Sequence, residues 1–214
     1  MAISIRLETP ADYRAVEELT KRAFWNVNTL GCKEHYVLHL LREDDAFIPE
    51  LSLVAEDFGS VVGHIAASRA MVEDQEGKPH EVLCIGPLSV DPVAQGAGVG
   101  SDLMKRCLEL AAEMGFCGAF LFGDPRYYTR FGFRPAERYG VCDSEGAFAV
   151  ALMGIPLTEN GLKDIRGRFV ESSCFSNVAD EAYAEFDSDF PQFQRGYRKS
   201  QSDFAVLSTL RYFG

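Results

Sequence analysis

Three glycines at alternate positions, Gly96, Gly98 and Gly100, stand in the run VDPVAQGAGVGSDLM at 90–104, between a strand-like stretch and a helix-like one. A glycine admits positive φ and lets a ligand approach the peptide plane without meeting a Cβ. On the amino-terminal side, EVLCIGPLSV (81–90) is an apolar run of buried-strand character that ends at Asp91-Pro92. On the other side, Leu103, Cys107, Leu110 and Met114 recur at i, i+4, i+7 and i+11, which predicts a helix from about Val99 to Met114, stopped by Gly115. GAFLFG (118–123) then reads as a short apolar strand, and the order strand, glycine loop, helix, strand predicts a right-handed parallel crossover. At a helix start several amides lack intrahelical partners and the dipole is positive, so the loop from Gln95 to Ser101 suits a phosphate or pyrophosphate. A tight connection with glycines kept for packing accounts for the spacing equally well. Other nucleotide loops do not fit. A dinucleotide fingerprint needs G-x-G-x-x-G and a later acid, whereas this loop is G-x-G-x-G and AFLF supplies no acid; a P-loop needs G-K-[ST], whereas Ser101-Asp102 follows Gly100.

The rest of the chain reads as alternating elements. ISIRL (3–7) alternates as a half-buried strand, and Thr9-Pro10 opens a helix predicted from about Pro10 to Phe24. A second helix is predicted around CKEHYVLHLLRE (32–43). ELSLVAED (50–57) and SVVGHIAASRAMV (60–72) read as strands joined by a tight turn at Asp57–Ser60, EGKP (76–79) as the next turn, and GAFAVALMGI (146–155) as a further strand. The segment from about Pro156 onward holds an acidic amphipathic helix candidate, VADEAYAEFDSDF (178–190), and a stretch FAVLSTLRYF (204–213) of open type.

A chain of 214 residues with 47% hydrophobic and 25% charged residues can bury one sizeable core, which predicts one domain with an appendage. Its net charge of −11 argues against nucleic acid or an anionic membrane as partner, since both would repel it. Without a basic and apolar leader, or any run of the ~20 apolar residues a span needs, the sequence predicts a cytoplasmic protein. Six cysteines without a C-x-x-C pair read as reduced packing thiols.

Gln95-x-x-Gly98-x-Gly100, after the strand LSVDP and before an amphipathic helix, resembles the acetyl-CoA pyrophosphate loop, Q/R-x-x-G-x-G/A, of the GNAT N-acetyltransferase superfamily. GHIAAS (63–68) stands where that family has its central hairpin strand, YTRFGF (128–133) resembles its Y-x-x-x-G-F, and IRLETPADYRAVEEL (5–19) its first strand and helix. IGPLSVDPVAQGAGVG and GDPRYYTRFGF are similar to the YhbS-like branch of the family. The resemblance covers about residues 3 to 154. It implies an α/β (α+β) acyl-CoA N-acyltransferase fold, a mixed central sheet with a splayed parallel strand pair flanked by helices. It also implies an acetyltransferase domain over 1–155 and an extension over 156–214 packed on or near the acceptor site. One detail supports it from the residues alone. Gly86-Pro87 interrupts a run that otherwise reads as a central strand, where proline would delete a ladder donor, so that strand must be locally unpaired.

By the resemblance, acetyl-CoA is the cosubstrate and no metal is used. Leu88 and Val90 offer backbone groups to the pantetheine arm, and Gln95, Gly96, Gly98, Val99, Gly100 and Ser101 hold the pyrophosphate. An amine attacks the thioester through a tetrahedral oxyanion, a backbone amide near Leu88 stabilises that oxyanion, and Tyr128 protonates the departing thiolate. Tyr128 also reads as a packed aromatic beside Tyr127, Phe131 and Phe133. The base stays open among Glu56, His64 and water. His35 and His39, at i and i+4, are predicted to lie on a surface helix face rather than to bind metal. Asp180, Glu181, Glu185, Asp187 and Asp189 are predicted to form a solvated face, with the lining of a cationic acceptor's entrance as the other reading. GRFVESSCF (167–175) is, by analogy, a strand near the acceptor site. The function implied is an N-acetyltransferase acting on a small-molecule or peptide amine, compatible with a homodimer. A non-catalytic acyl-CoA binding or sensor module is the alternative, and a longer acyl group or a hydroxyl acceptor also stays open.

Overall fold

The structure, a computed structural model, describes residues 3–176 and 178–214. Its first half is an antiparallel meander of β1 (Ile3–Leu7), β2 (Leu53–Asp57), β3 (Ser60–Glu73) and β4 (Pro79–Val90), with helices α1 (Tyr13–Phe24) and α2 (Glu34–Arg42) between β1 and β2. Thr9 donates its amide and hydroxyl to Asp12 Oδ2 at 2.8 and 2.7 Å, so the predicted helix opens as a 3-10 turn over Pro10–Asp12 before α1 begins. β2 and β3 meet at Phe58 and Gly59, both at positive φ (48° and 81°), the two-residue geometry that matches strand twist. Next come α3 (Val99–Glu113), β5 (Gly118–Phe122), a single turn α4 (Pro125–Tyr128), β6 (Arg134–Pro135), β7 (Val141–Cys142), β8 (Phe148–Ala149) and β9 (Leu152–Pro156). The remainder forms β10 (Gly167–Val170), α5 (Asp180–Asp187), α6 (Lys199–Thr209) and β11 (Arg211–Tyr212).

The main sheet runs β1-β2-β3-β4-β5-β9-β6, with β10 paired to β3 and β7. Neighbouring residues along each strand separate onto its two faces. Leu53, Ala55, Ile65, Ala67, Leu83, Ile85, Ala119 and Leu121 pack with Leu103, Met104, Cys107 and Ala111 of α3. Their neighbours face the other way. Val54 and Ala66 pack with Val16, Leu38 and Leu41 of α1 and α2, and Ala70, Val72, Val82, Cys84 and Phe120 pack with Leu162, Ile165 and Phe169 of the carboxyl-terminal segment.

β4 and β5 are the parallel pair, joined through α3, but they pair only at Leu83↔Ala119 and Cys84↔Phe120. On the other side of β4, Ile85 lies opposite Ala67 and Leu88 opposite Ile65, so Gly86 and Pro87 share the single partner Ala66. An extra residue bends a strand at that point, and Pro87 has no amide for the ladder. The splay expected at Gly86-Pro87 is therefore present. β4 leaves β5 after Cys84 while staying attached to β3 through Val90.

Two strand expectations are corrected. The 146–155 run is not one strand: it turns at Val150 and Ala151, where Val150 N donates to Leu210 O at 2.9 Å and β8 pairs with β11 instead of the main sheet. The strand predicted from Glu50 begins at Leu53, because Pro49–Leu51 closes a 3-10 turn. The stretch left open at 204–213 is the end of α6 followed by β11. Among the described residues no helix is long and apolar enough to cross a membrane.

Candidate active site

The glycine loop lies at the open end of the split between β4 and β5. Asp91 O accepts from Ala94 N and Gln95 N at 2.8 and 3.1 Å, Gln95 Nε2 donates to Val90 O at 3.1 Å, and these bonds fold the loop onto the end of β4. Gly98, at φ +93°, is the N-cap of α3, so the amides of Val99 and Gly100 at its first two positions have no carbonyl one turn back. Gly100 is needed for a different reason: a Cβ there would lie 3.0 Å from Tyr127 Oη and 3.2 Å from Val90 Cγ2. A cleft of about 500 Å³ runs from this loop into the split. Leu88, Val90, Gln95, Gly96, Gly98, Val99, Gly100, Ser101 and Tyr128, all singled out from the sequence, line it together. Arg130 also lines it, and among the described residues it is the charged side chain that does so. Its guanidinium sits 4.6 Å from the centre of the Tyr127 ring. Tyr127 hydrogen-bonds the Ser101 side chain, and burial raises its phenol above the ordinary range.

Tyr128 is held by packing. Its ring meets Phe133 edge-on at 5.9 Å between centroids and Tyr127 at 5.0 Å, and it covers Gly123 so closely that a Cβ there would lie 2.2 Å from Cε2. Asp124 starts this turn as an N-cap, accepting from Arg126 N at 2.8 Å. Burial holds the Tyr128 phenol well above its ordinary pKa, so it stays protonated at neutral pH and is a donor.

Beyond Tyr128 and Leu88 lies a second cavity of about 720 Å³, on the other side of the split, which reaches Cys84, Ile85, Gly86 and Pro87 of β4. Phe24, Phe122, Phe175, Tyr183 and Phe204 wall it, and Glu34 and Glu171 face into it. Glu34 Oε1 takes the Asn28 amide at 3.3 Å and its Oε2 takes the Lys33 backbone amide at 3.0 Å, while burial raises its carboxyl pKa. Glu171 Oε2 accepts from the Cys84 thiol at 3.4 Å, and burial raises its carboxyl too. A third cavity of about 680 Å³, toward α6 and Asp203, also touches Tyr128 and Phe24. Tyr128 therefore stands where three spaces meet.

Other sequence candidates lie elsewhere. Glu56 pairs with Arg6 at 2.6 Å on the β1–β2 edge. His64 is fully buried, with Nε2 3.1 Å from Ser52 Oγ and 3.4 Å from Glu8 Oε1, and burial lowers its pKa. Neither lines the cleft or the second cavity. The surface reading of His35 is corrected: it is buried, donating Nε2–H to Asp187 Oδ1 at 2.8 Å, because Tyr183, Phe186 and Phe190 pack on its ring. Asp187 corrects the solvated-face reading for its helix, since it also receives the fully buried Lys21 ammonium. His39 instead bonds Glu17 at 3.1 Å, and among the described residues no group of His, Cys, Asp and Glu is placed to hold a metal. Glu34 was not singled out, and Glu171 only as part of GRFVESSCF, because elements far apart in the chain bring them to one cavity. Arg130 lay inside the quoted YTRFGF motif, two residues after Tyr128.

A mixed sheet split between its two parallel strands, with a glycine-lined helix start at the mouth of the split, defines an acyltransferase of the acyl-CoA N-acyltransferase fold. The chain belongs to the Acetyltransferase (GNAT) family, whose model matches residues 14–133. It is similar to the uncharacterized N-acetyltransferase YhbS of Escherichia coli K12, 34% identical over 151 residues that cover 68% of this chain and 84% of the relative. The crystal structure of Escherichia coli YhbS in complex with CoA is similar with a TM-score of 0.73 at 28% identity, covering 83% of this chain and 93% of that one. A GNAT family acetyltransferase of Brucella melitensis in complex with acetyl-CoA gives a TM-score of 0.66 at 30% identity, covering 81% and 98%.

Proposed function

We propose that the protein moves the acetyl group of acetyl-CoA to a primary amine by direct attack. The observation that carries this reading is the continuity of space at Leu88 and Tyr128: a cleft with a donor-rich glycine loop at one end opens there into a second, aromatic-walled cavity. The CoA and acetyl-CoA complexes of the two similar structures support the choice of donor. The diphosphate lies on the amides of Gly96, Gly98, Val99 and Gly100 with the Ser101 hydroxyl beside them, where unpaired amides and the start of α3 favour an anion. Arg130 adds a cation to a cleft that has no other charged lining among the described residues, on a chain of net charge −11. Gln95, which lines the cleft, also supports the loop by donating Nε2 to Val90 O.

The pantetheine arm extends β4 at Leu88 and Val90, whose β5-facing side is unpaired after Cys84. The thioester carbon then lies between the Leu88 backbone and Tyr128. A backbone amide at Leu88 holds the oxyanion, and the protonated phenol gives its proton to the departing thiolate. The amine arrives from the second cavity, so residues 1–155 form the acyl-CoA domain and 156–214 complete the acceptor side through Glu171, Phe175, Tyr183 and Phe204. Release of free thiol from acetyl-CoA, measured across amines, polyamines, amino acids and peptides, tests the reading. Acetylation of an amine above background hydrolysis is expected. Tight binding of acetyl-CoA with no release to any acceptor would favour a sensor instead.

A further inference from the structure

The ionisable groups around the acceptor-side cavity differ in what holds them. From the start of α2 Lys33 and Glu34 face it, from β4 Cys84, from α4 Tyr128, from α5 Tyr183, and from the segment after α5 the exposed Arg195. Lys33 is paired with Asp180 at 2.6 Å, and Glu34 is tied to Asn28 and to the first amides of its own helix. The other buried or half-buried carboxylates of the neighbouring helices are tied by cations: Glu8 and Glu17 by Arg42, and Asp187 by Lys21. Glu171 has no cationic partner among the described residues, and its hydrogen bond is to a neutral thiol. It follows β10, whose pairing to β3 ends at Val170↔Met71, and it reaches Cys84 at the last rung before β4 and β5 part. The Glu171 carboxyl therefore lines the second cavity beside the last paired rung of β4 and β5, on the strand that leads to Leu88, where the two spaces join. The walls point to the rest of the ligand. Phe122 and Phe204, 46% and 37% exposed, face this cavity together with Phe24, Phe175 and Tyr183, which gives it a largely aromatic wall.

We propose that Glu171 is the catalytic base of this enzyme, binding the ammonium of a primary amine carried on an aromatic or other apolar body and taking its proton. This rests on the acetyl-CoA reading above. Burial lifts the Glu171 carboxyl above the ordinary carboxylate range, which brings its basicity nearer to neutrality. The step balances as R–NH₃⁺ plus acetyl-CoA giving R–NH–acetyl, CoA thiol and one proton. The ammonium gives its first proton to Glu171, which passes it to solvent. The nitrogen lone pair then forms the N–C bond and the C–S bond breaks toward sulfur. The thiolate takes the Tyr128 proton, and the second nitrogen proton restores the phenol.

The test uses the full chain, acetyl-CoA and 2-phenylethylamine as the probe acceptor, with spermidine as the contrasting polycation and acetyl-CoA affinity measured separately. Expected are acetylation of 2-phenylethylamine in preference to spermidine, and a loss of about 10²-fold or more in kcat/KM at pH 7 for Glu171→Gln with unchanged acetyl-CoA affinity. The variant should also lose the acidic limb set by the carboxyl and show instead one set by the ammonium of the acceptor. Its deficit should shrink about tenfold per pH unit toward the ammonium pKa of ~10, where the amine deprotonates without help. Glu171→Asp should keep the limb at a reduced rate, and Glu34→Gln should keep it too. A deficit in Glu171→Gln that is the same at every pH, loss of the limb in Glu34→Gln instead, or preference for spermidine overturns the proposal alone. Failure of the wild-type chain to bind acetyl-CoA overturns the reading beneath it.

Discussion

Tyr128 and Arg130 sit on neighbouring turns that line the cleft, and in the proposed reaction they divide its chemistry between proton and charge. If Tyr128 supplies the thiolate's proton, Tyr128→Phe lowers kcat by about 10²-fold or more while acetyl-CoA affinity, measured by calorimetry, stays within about twofold. Retention of full turnover would remove Tyr128 from the reaction and leave it as packing for Gly123 and Phe133. Arg130→Gln is expected to do the reverse, weakening acetyl-CoA by about tenfold, the size of one charge-assisted hydrogen bond, with a shallower dependence of affinity on salt. Acetyl-pantetheine, which lacks the diphosphate, should bind wild type and variant alike. At this scale the donor side was legible in the sequence, because loop, N-cap and tyrosine turn are each local: Gly98 is demanded by its φ of +93° and Gly100 by the Tyr127 hydroxyl 3.0 Å from where a Cβ would be. On the other side only the segment GRFVESSCF was placed, and by analogy alone, since Glu34, Cys84 and Glu171 line one cavity only after the sheet has formed.

At the scale of elements, α5 is fastened to α1 and α2 by a buried polar cluster. Asp187 receives Lys21 and His35; burial opposes its charge, but these two partners hold its carboxyl below the ordinary range. Asp187→Asn leaves the Lys21 ammonium buried without a counter-charge and is expected to cost roughly 3 kcal/mol, read as a fall in melting temperature of about 6–12 °C. A change of less than about 2 °C would mean that α5 is not anchored there. The cluster also sets a pH dependence. Burial lowers the His35 pKa from 6.5 to about 4, outweighing the pull of Asp187, so the folded state disfavours the charged ring. This contribution to stability is fully present above pH 6.5 and is lost as pH falls toward 4, because the unfolded chain takes up the proton first. Melting temperature should therefore fall over that interval, and less steeply in His35→Asn. The pattern of α2, with histidines four residues apart, carries no sign of this burial: the rings that cover His35 are Tyr183, Phe186 and Phe190, on and just after the helix whose Asp187 is 152 residues from His35.

For the whole molecule, the sheet is built to be incomplete. Alternation of apolar residues made its strands legible, and Gly86-Pro87 marked the place where β4 could not stay flush with a neighbour. The parallel crossover and the resemblance pointed to β5 as the neighbour it leaves, but the length over which it leaves could be seen only in the fold: pairing ends at Cys84↔Phe120 although β4 continues to Val90. The broken 146–155 run was hidden for the complementary reason, since its turn exists to meet Leu210 and β11 at the far end of the chain. The central claim is that this gap is the seat of the thioester, and a crystal structure of the full chain with acetyl-CoA tests it most directly. The account predicts the pantetheine amides paired to Leu88 and Val90, the diphosphate on the amides from Gly96 to Gly100, and the acetyl group facing Tyr128. Acetyl-CoA bound away from this cleft, with β4 and β5 paired past Cys84, would contradict it.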